Sequence, residues 1–225
     1  MKKNALLILG ILLSIVSSAQ PRSYLSVTGG VGSSINKNGG SLLNTYNPRG
    51  LGANVGLLFG RSKVSGFGWE IGLVHRVVRY QNAGVLFDAN RTVLDTNDAH
   101  SHYRFVILPL WLTYSQPITK SLKISVKLGV YAGWKTYGSE ILTSRLYPGM
   151  GYGFAEGSQF PSIDTYGGQV GLALDYKLTS QLGIGLEGIL VQDASTLTHP
   201  ARVKVPNEFS GYGGRIFHIL LKYYL

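Results

Sequence analysis

Residues 122–134 read LKISVKLGVYAGW, and their alternation decides the fold. Leu122, Ile124, Val126, Leu128, Val130, Ala132 and Trp134 share one parity, while Lys123, Ser125, Lys127, Gly129, Tyr131 and Gly133 share the other. A repeat of two is that of an extended strand, whose successive side chains point to opposite faces. The same alternation recurs with Leu51, Ala53, Val55, Leu57 and Phe59, with Phe67, Trp69, Ile71 and Leu73, and with Val170, Leu172, Leu174 and Tyr176. It returns in Leu182, Ile184 and Leu186 and in Phe217, Ile219, Leu221, Tyr223 and Leu225. With a weaker opening strand and a strongly apolar fourth one, the pattern predicts eight strands, over 24–32, 50–59, 66–80, 102–115, 121–135, 164–178, 181–192 and 212–225.

The connections alternate in length. Residues 60–65, 116–120 and 179–180 are short turns, whereas 33–49, 81–101, 136–163 and 193–211 are long and rich in Gly, Asn, Ser, Asp and Pro. Most of the expected strands match or exceed the 9–11 residues that a tilted strand needs to cross a bilayer. Short turns at one end and long loops at the other describe an all-β, eight-stranded antiparallel transmembrane barrel of outer-membrane type, with both mature termini in the periplasm.

Alternation alone also fits a soluble barrel with its apolar face inward, so the identities on the two faces decide. The polar parity is dense in small residues: Gly68, Gly72, Gly129, Gly133, Gly167, Gly171, Ala173, Gly183 and Gly185. The interior of an eight-stranded barrel is just filled by side chains, and small residues make room for the few large ones. The apolar parity is bulky and continuous, as a lipid-facing band must be. Trp69, Trp134, Tyr176 and Tyr223 fall near strand ends, where aromatic girdles form. In this register Glu70, Arg76, Lys123, Lys127, Asp175, Lys177, Glu187 and Lys222 face the lumen, and the acids are expected to pair with basic groups across it. A slip of one residue would place charges in hydrocarbon, at about 2–4 kcal/mol for each basic group at the midplane.

The chain has 225 residues, 30 of them Gly, no Cys and only 14% charged. Without Cys there is no disulfide scaffold, Cys-ligated zinc, iron–sulfur cluster or thiol catalyst. The low charge departs from the quarter or so usual in soluble domains. At the N-terminus, Lys2 and Lys3 precede an apolar run from Ala5 to Val16, followed by Ser17, Ser18 and Ala19. This is the layout of a cleavable signal peptide over 1–19, leaving 20–225 as one barrel domain. The apolar run is shorter than the ~20 residues of a membrane-crossing helix, and no Cys follows it as in a lipoprotein.

Within the fourth strand, Phe105-Val106-Ile107-Leu108-Pro109-Leu110-Trp111-Leu112-Thr113-Tyr114 resembles the apolar-Pro-apolar strand of the PorT-like outer-membrane β-barrel domains of the Bacteroidota. Leu128-Gly129-Val130-Tyr131-Ala132-Gly133-Trp134 is similar to that family's following Gly-aromatic strand, and Ser18-Ala19-Gln20 is similar to signal ends of that Gram-negative phylum. Ile107 stands where members often carry an acidic residue. The resemblance implies location and fold. Most members have no known activity and a few are linked to protein secretion and gliding, so little chemistry transfers. The final strand, ending at Leu225 rather than Phe, suits presentation to the barrel assembly machinery.

No residue pattern singles out an enzyme. Asp95, Asp98, His100 and His102 form a local set of metal-ligating types, read first as a polar loop running into a strand. Ser101 or Ser139 with His102 as base would be the residues of a lipid-modifying hydrolase, but nothing in their spacing selects them. Gly50-Leu51-Gly52 lacks the third glycine of a dinucleotide fingerprint. Gly149 to Phe154 alternates Gly with large residues and is expected to extend the neighbouring strands as a hairpin. The net charge of +10 is spread rather than clustered, which argues against nucleic acid. Arg61, Lys63 and Lys120 fall on periplasmic turns, where anionic lipid headgroups or an envelope partner would meet them. The expected role is therefore structural or interactive, with no catalytic residues, cofactor or metal. A small channel and an outer-membrane lipid-modifying enzyme are the alternatives.

Overall fold

The computed structural model describes residues 22–36, 49–63, 65–87, 93–144, 151–157, 165–194 and 212–225, and the expected signal peptide lies outside them. The strands are β1 (Arg22–Asn36), β2 (Arg49–Ser62), β3 (Gly66–Phe87), β4 (Val93–Pro117), β5 (Leu122–Ser144), β6 (Gly151–Gly157), β7 (Thr165–Lys177), β8 (Leu182–Asp193) and β9 (Tyr212–Tyr224). All except β6 form one closed antiparallel barrel of eight strands, in the cyclic order β1-β2-β3-β4-β5-β7-β8-β9. The ends meet where β1 pairs with β9, for example Leu25 opposite Tyr223 and Val31 opposite Phe217. The Leu225 amide donates to the Ser23 carbonyl at 2.9 Å and finishes the seam. Closure leaves no strand edge, which hydrocarbon requires because it offers no hydrogen-bond partners.

The outward face carries the apolar parity on every barrel strand. Leu128, Leu172 and Ile184 are 62%, 54% and 42% exposed, so they point away from the axis. Around the circumference this belt includes Val27, Leu57, Leu73, Leu110, Val130, Leu174, Leu186 and Ile219, all exposed. At the short-turn end it finishes in aromatic rings. Phe59 and Trp69 meet edge to face at 5.6 Å, Phe67 and Tyr114 at 5.1 Å, and Tyr176 of β7 and Tyr223 of β9 are exposed at the same end. Trp134 is set apart from Trp69, Tyr176 and Tyr223: it is half-buried near the long-loop end, opposite Val106.

Five strands are longer than expected: β1 and β2 modestly, and β3, β4 and β5 by most of a hairpin arm. The segment 81–101, read as a loop, instead continues the β3–β4 hairpin, with Gln81 opposite His100 and Val85 opposite Thr96. His100 is thus a strand residue rather than part of a polar loop. The segment 136–163 likewise contains the outer end of β5 and the short β6, which pair from Tyr137–Gly157 to Thr143–Gly151. A ladder that leaves the bilayer keeps its hydrogen bonds but needs no apolar face. The period-two signal therefore ends before the strand does. Gly149 lies outside the described residues, while Gly151 to Phe154 sit in β6 as the expected strand-extending hairpin.

Two local devices shape this side of the barrel. Pro109 has no N–H, and the β3–β4 ladder skips the positions of Gly72 and Leu73 opposite Pro109 and Leu108 before resuming at Val74–Ile107. In β5, Lys135 pairs with Phe105 and Tyr137 with Arg104, so Thr136 is an inserted residue. Its Oγ1 donates to the Arg104 carbonyl at 3.2 Å. Beyond this bulge the outward parity of β5 changes from even to odd numbers.

Candidate functional site

The inward face divides into two layers. Toward the short-turn end lies a buried ionic network, and above it a compact apolar plug.

The network is built by alternate residues of six strands. Lys127 of β5 pairs with Glu70 of β3 and with Glu187 of β8. None of these strands is adjacent to another, so the two bridges cross the lumen. Lys222 of β9 places its ammonium 2.9 Å from Asp175 Oδ1 and 3.9 Å from Glu70 Oε1. Lys123, the direct ladder partner of Asp175, lies 3.7 Å from Asp175 Oδ2. His218 stands opposite Glu187 in the β8–β9 ladder, with Nδ1 3.1 Å from Oε2. The Tyr24 hydroxyl of β1 donates to Glu70 Oε1. Three carboxylates thus face three ammonium groups, and neutralisation is what makes burial of such charges tolerable. Aromatic faces complete the cage. The Lys127 ammonium lies 4.9 Å from the Trp111 ring and that of Lys222 4.9 Å from the Tyr24 ring.

Of the residues expected in the lumen, Glu70, Lys123, Lys127, Asp175, Glu187 and Lys222 are therefore brought together. Arg76 belongs to a separate level, where Nε donates to Asn54 Oδ1 at 3.0 Å and the guanidinium faces the Tyr131 ring at 5.8 Å. Lys177 sits half-buried on the inward parity at the short-turn end of β7. Tyr24 and His218 were missed as members of the network. His218 carried a signal, since it shares its parity with Lys222.

Small residues make the cage fit. Gly60 lies between Tyr24 and Glu70 in successive ladders, and a Cβ there would be 2.5 Å from the Tyr24 ring and hydroxyl. A Cβ at Gly129 would be 2.7 Å from the Trp111 ring.

Above the network, Leu58, Val74, Phe105, Ile107, Trp111, Tyr131, Ile189, Val191, Ile216 and Leu220 form one buried cluster, with Tyr103 against it. This plug packs apolar side chains into the lumen beside buried polar residues that include Asn54 and Gln169.

For chemistry, the described side chains provide little. The carboxylates of the network are buried and engaged in its ion pairs. No group of three or more potential metal ligands is found among the described residues. His102 and Ser139 are cross-strand partners on the outer face, but Arg79 is the opposite neighbour of His102 and Arg104 lies two residues along. The His102 Nε2 has no hydrogen-bond partner. A serine hydrolase requires its base to contact the nucleophile and an acid to orient the base. The side chains of Asp95, Asp98 and Ser101 lie outside the described ones.

No family model matches the chain, and no curated protein matches it with significance. Solved structures that it is similar to include bacterial surface and outer-membrane proteins. OprG of Pseudomonas aeruginosa is 14% identical with a TM-score of 0.41, over 92% of this chain and 98% of that one. Ail, the attachment invasion locus protein of Yersinia pestis, is 12% identical with a TM-score of 0.36, over 90% and 99%. The Neisserial surface protein A is 7% identical with a TM-score of 0.39, over 89% and 96%. At these values the fold rests on the closed hydrogen-bond ladder itself.

Proposed function

We propose that the protein is an integral outer-membrane barrel of a Gram-negative envelope, with a structural or interactive role and no enzymatic or conducting one. The observation that carries this reading is the pairing of an apolar outer belt with an interior occupied by packed apolar side chains and a buried charge network. The belt requires hydrocarbon as its solvent, because an apolar surface of this extent in water drives association. The plug and the charge network below it favour a rigid post over a pore. What remains for function is the long-loop end, which stands beyond the belt on the extended β3–β4 and β5–β6 hairpins. A chain exported by its signal peptide and inserted by the assembly machinery would keep its short turns and both termini in the periplasm. The resemblance to PorT-like domains of the Bacteroidota agrees with a place in a larger envelope assembly.

Two measurements test the reading. Purified protein in planar bilayers is expected to give no single-channel steps, and stepwise conductance would overturn it. Crosslinking from cysteines placed in the long loops of intact cells is expected to capture a defined envelope protein. Lipid profiles altered by deletion of the protein would instead favour the enzyme.

A further inference from the structure

Opposite residues in the outer ends of β3, β4 and β5 form rows across the outward face. The row Val77–Arg104–Tyr137 lies directly above His75–Val106–Trp134, and Arg79–His102–Ser139 lies above that. Outward positions below these rows, Leu73, Leu110 and Val130 among them, are exposed and apolar. The apolar belt thus ends at a step, and the step carries two arginines and a histidine. On one sheet face, opposite side chains such as Arg79 and His102 lie about 4.5–5.5 Å apart and diagonal ones such as Arg79 and Arg104 about 7–8 Å, within reach of long side chains, so Arg79, His102 and Arg104 can address a single anionic group.

The side chains are held for that task. Arg79 and Arg104 are exposed, and the Arg104 guanidinium lies 5.2 Å from the centre of the Tyr137 ring. The His102 ring packs edge-on to the same tyrosine at 5.7 Å, and its Nε2 is buried with no hydrogen-bond partner. No carboxylate among the described side chains faces these cations: Glu70, Asp175 and Glu187 all point into the lumen. The other described cation on the outward face at this end is Arg215 of β9, three ladders away. The charge is therefore local and not a uniform collar.

We infer that this step is a binding site for the phosphorylated saccharide headgroup of an outer-leaflet glycolipid. The inference rests on the membrane reading above, with the long-loop end facing outward. Planar guanidinium groups match phosphate oxygens in pairs. The acyl chains of such a lipid would run down the belt over Val106, Leu108 and Leu110, which share the outward parity of β4 below Arg104. A free phosphate would use the cations alone, whereas a glycolipid uses cations and belt together.

The test uses full-length protein in lipid nanodiscs supplied with bisphosphorylated or chemically dephosphorylated lipid A, the retained lipid being measured after washing. Heat-modifiable gel migration reports insertion separately. The wild type is expected to retain the bisphosphorylated form selectively, even against excess inorganic phosphate. The Arg79→Gln/Arg104→Gln variant should insert and retain about thirtyfold less, the loss expected for two arginines at a charged lipid surface. Arg215→Gln, which removes the outward cation of β9 three ladders away, should retain as much as wild type. Equal retention by the inserted Arg79/Arg104 variant, equal retention of both lipids, or full displacement by inorganic phosphate would overturn the site. Should the double variant not insert, Arg79→Gln and Arg104→Gln singly carry the same comparison. Failure of the wild type to insert would instead remove the membrane reading, and with it this site.

Discussion

The Tyr24 hydroxyl reaches Glu70 across the bare backbone of Gly60, which pairs with both residues in successive ladders. Three strands are thereby tied at the lumen wall by a contact that exists only because the middle one has no side chain. Gly60→Ala places its methyl carbon 2.5 Å from the tyrosine ring and 2.9 Å from Glu70 Cγ. The expected cost is about 1–3 kcal/mol, the usual range for overfilling a packed interior. Unfolding by guanidinium in lipid vesicles measures it. In a double-mutant cycle with Tyr24→Ala the two losses should add to less than their sum, because the clash is with the ring that the second change removes.

Lys127 bridges Glu70 and Glu187 from a strand adjacent to neither. Replacing it with Met leaves two buried carboxylates without their shared cation, although Tyr24, Lys222 and His218 still contact them. Loss of one partner from a buried ionic group typically costs 3–5 kcal/mol. The double change Lys127→Met, Glu187→Gln leaves two carboxylates, Glu70 and Asp175, facing two ammonium groups, Lys123 and Lys222, and should recover more than half of that loss. Equal instability of the single and double variants in vesicle unfolding would show that packing of the lysine stem, not charge, matters here.

The nature of the outer solvent has its own measurement. Leu128→Arg and Leu172→Arg sit in the middle of the belt and should each destabilise the inserted protein by about 2–4 kcal/mol. Tyr166→Arg, at the long-loop margin of β7, should cost about 0–1 kcal/mol. A flat profile, with all three near the ~0.5 kcal/mol of ordinary surface changes, would mean that water rather than hydrocarbon covers this face.

The barrel and its inside–outside assignment were legible in the sequence because the two faces have different solvents. Leu128 and Lys127 announce the register by themselves. The cross-lumen pairs were legible only as a set of inward charges. Which carboxylate meets which ammonium depends on the stagger of a closed cylinder, and no local pattern encodes that stagger. Lys123 and Asp175 are ladder partners, yet Lys127 meets Glu187 two ladders away. The extensions of β3, β4 and β5 were hidden for a different reason. Above the bilayer both faces of a strand meet water, so Gln81, Asn82, Asn97 and Asp98 look like loop while pairing as strand. The basic step was hidden with them, since Arg79 opposes His102 only once the β3–β4 register is known.

The bulge at Thr136 supplies the sharpest test of register. Lys135 pairs with Phe105 and Tyr137 with Arg104, so Thr136 has no partner of its own. Deleting it joins an inward residue directly to an outward one, which is the ordinary alternation of a strand. The belt, the lumen and the outer hairpin all keep their faces, and the loss is limited to the local bend and the hydrogen bond to the Arg104 carbonyl. Deleting Val130, six residues earlier in the same strand, acts oppositely. Either 122–129 or 131–135 must then turn over, sending Lys127 into lipid or Trp134 into the filled lumen. Thr136 deletion is therefore expected to refold into vesicles with wild-type heat-modifiable migration and protease resistance, and Val130 deletion to fail in both. Equal failure of the two deletions would show that the bulge is needed for closure of the barrel and is not merely accommodated by it.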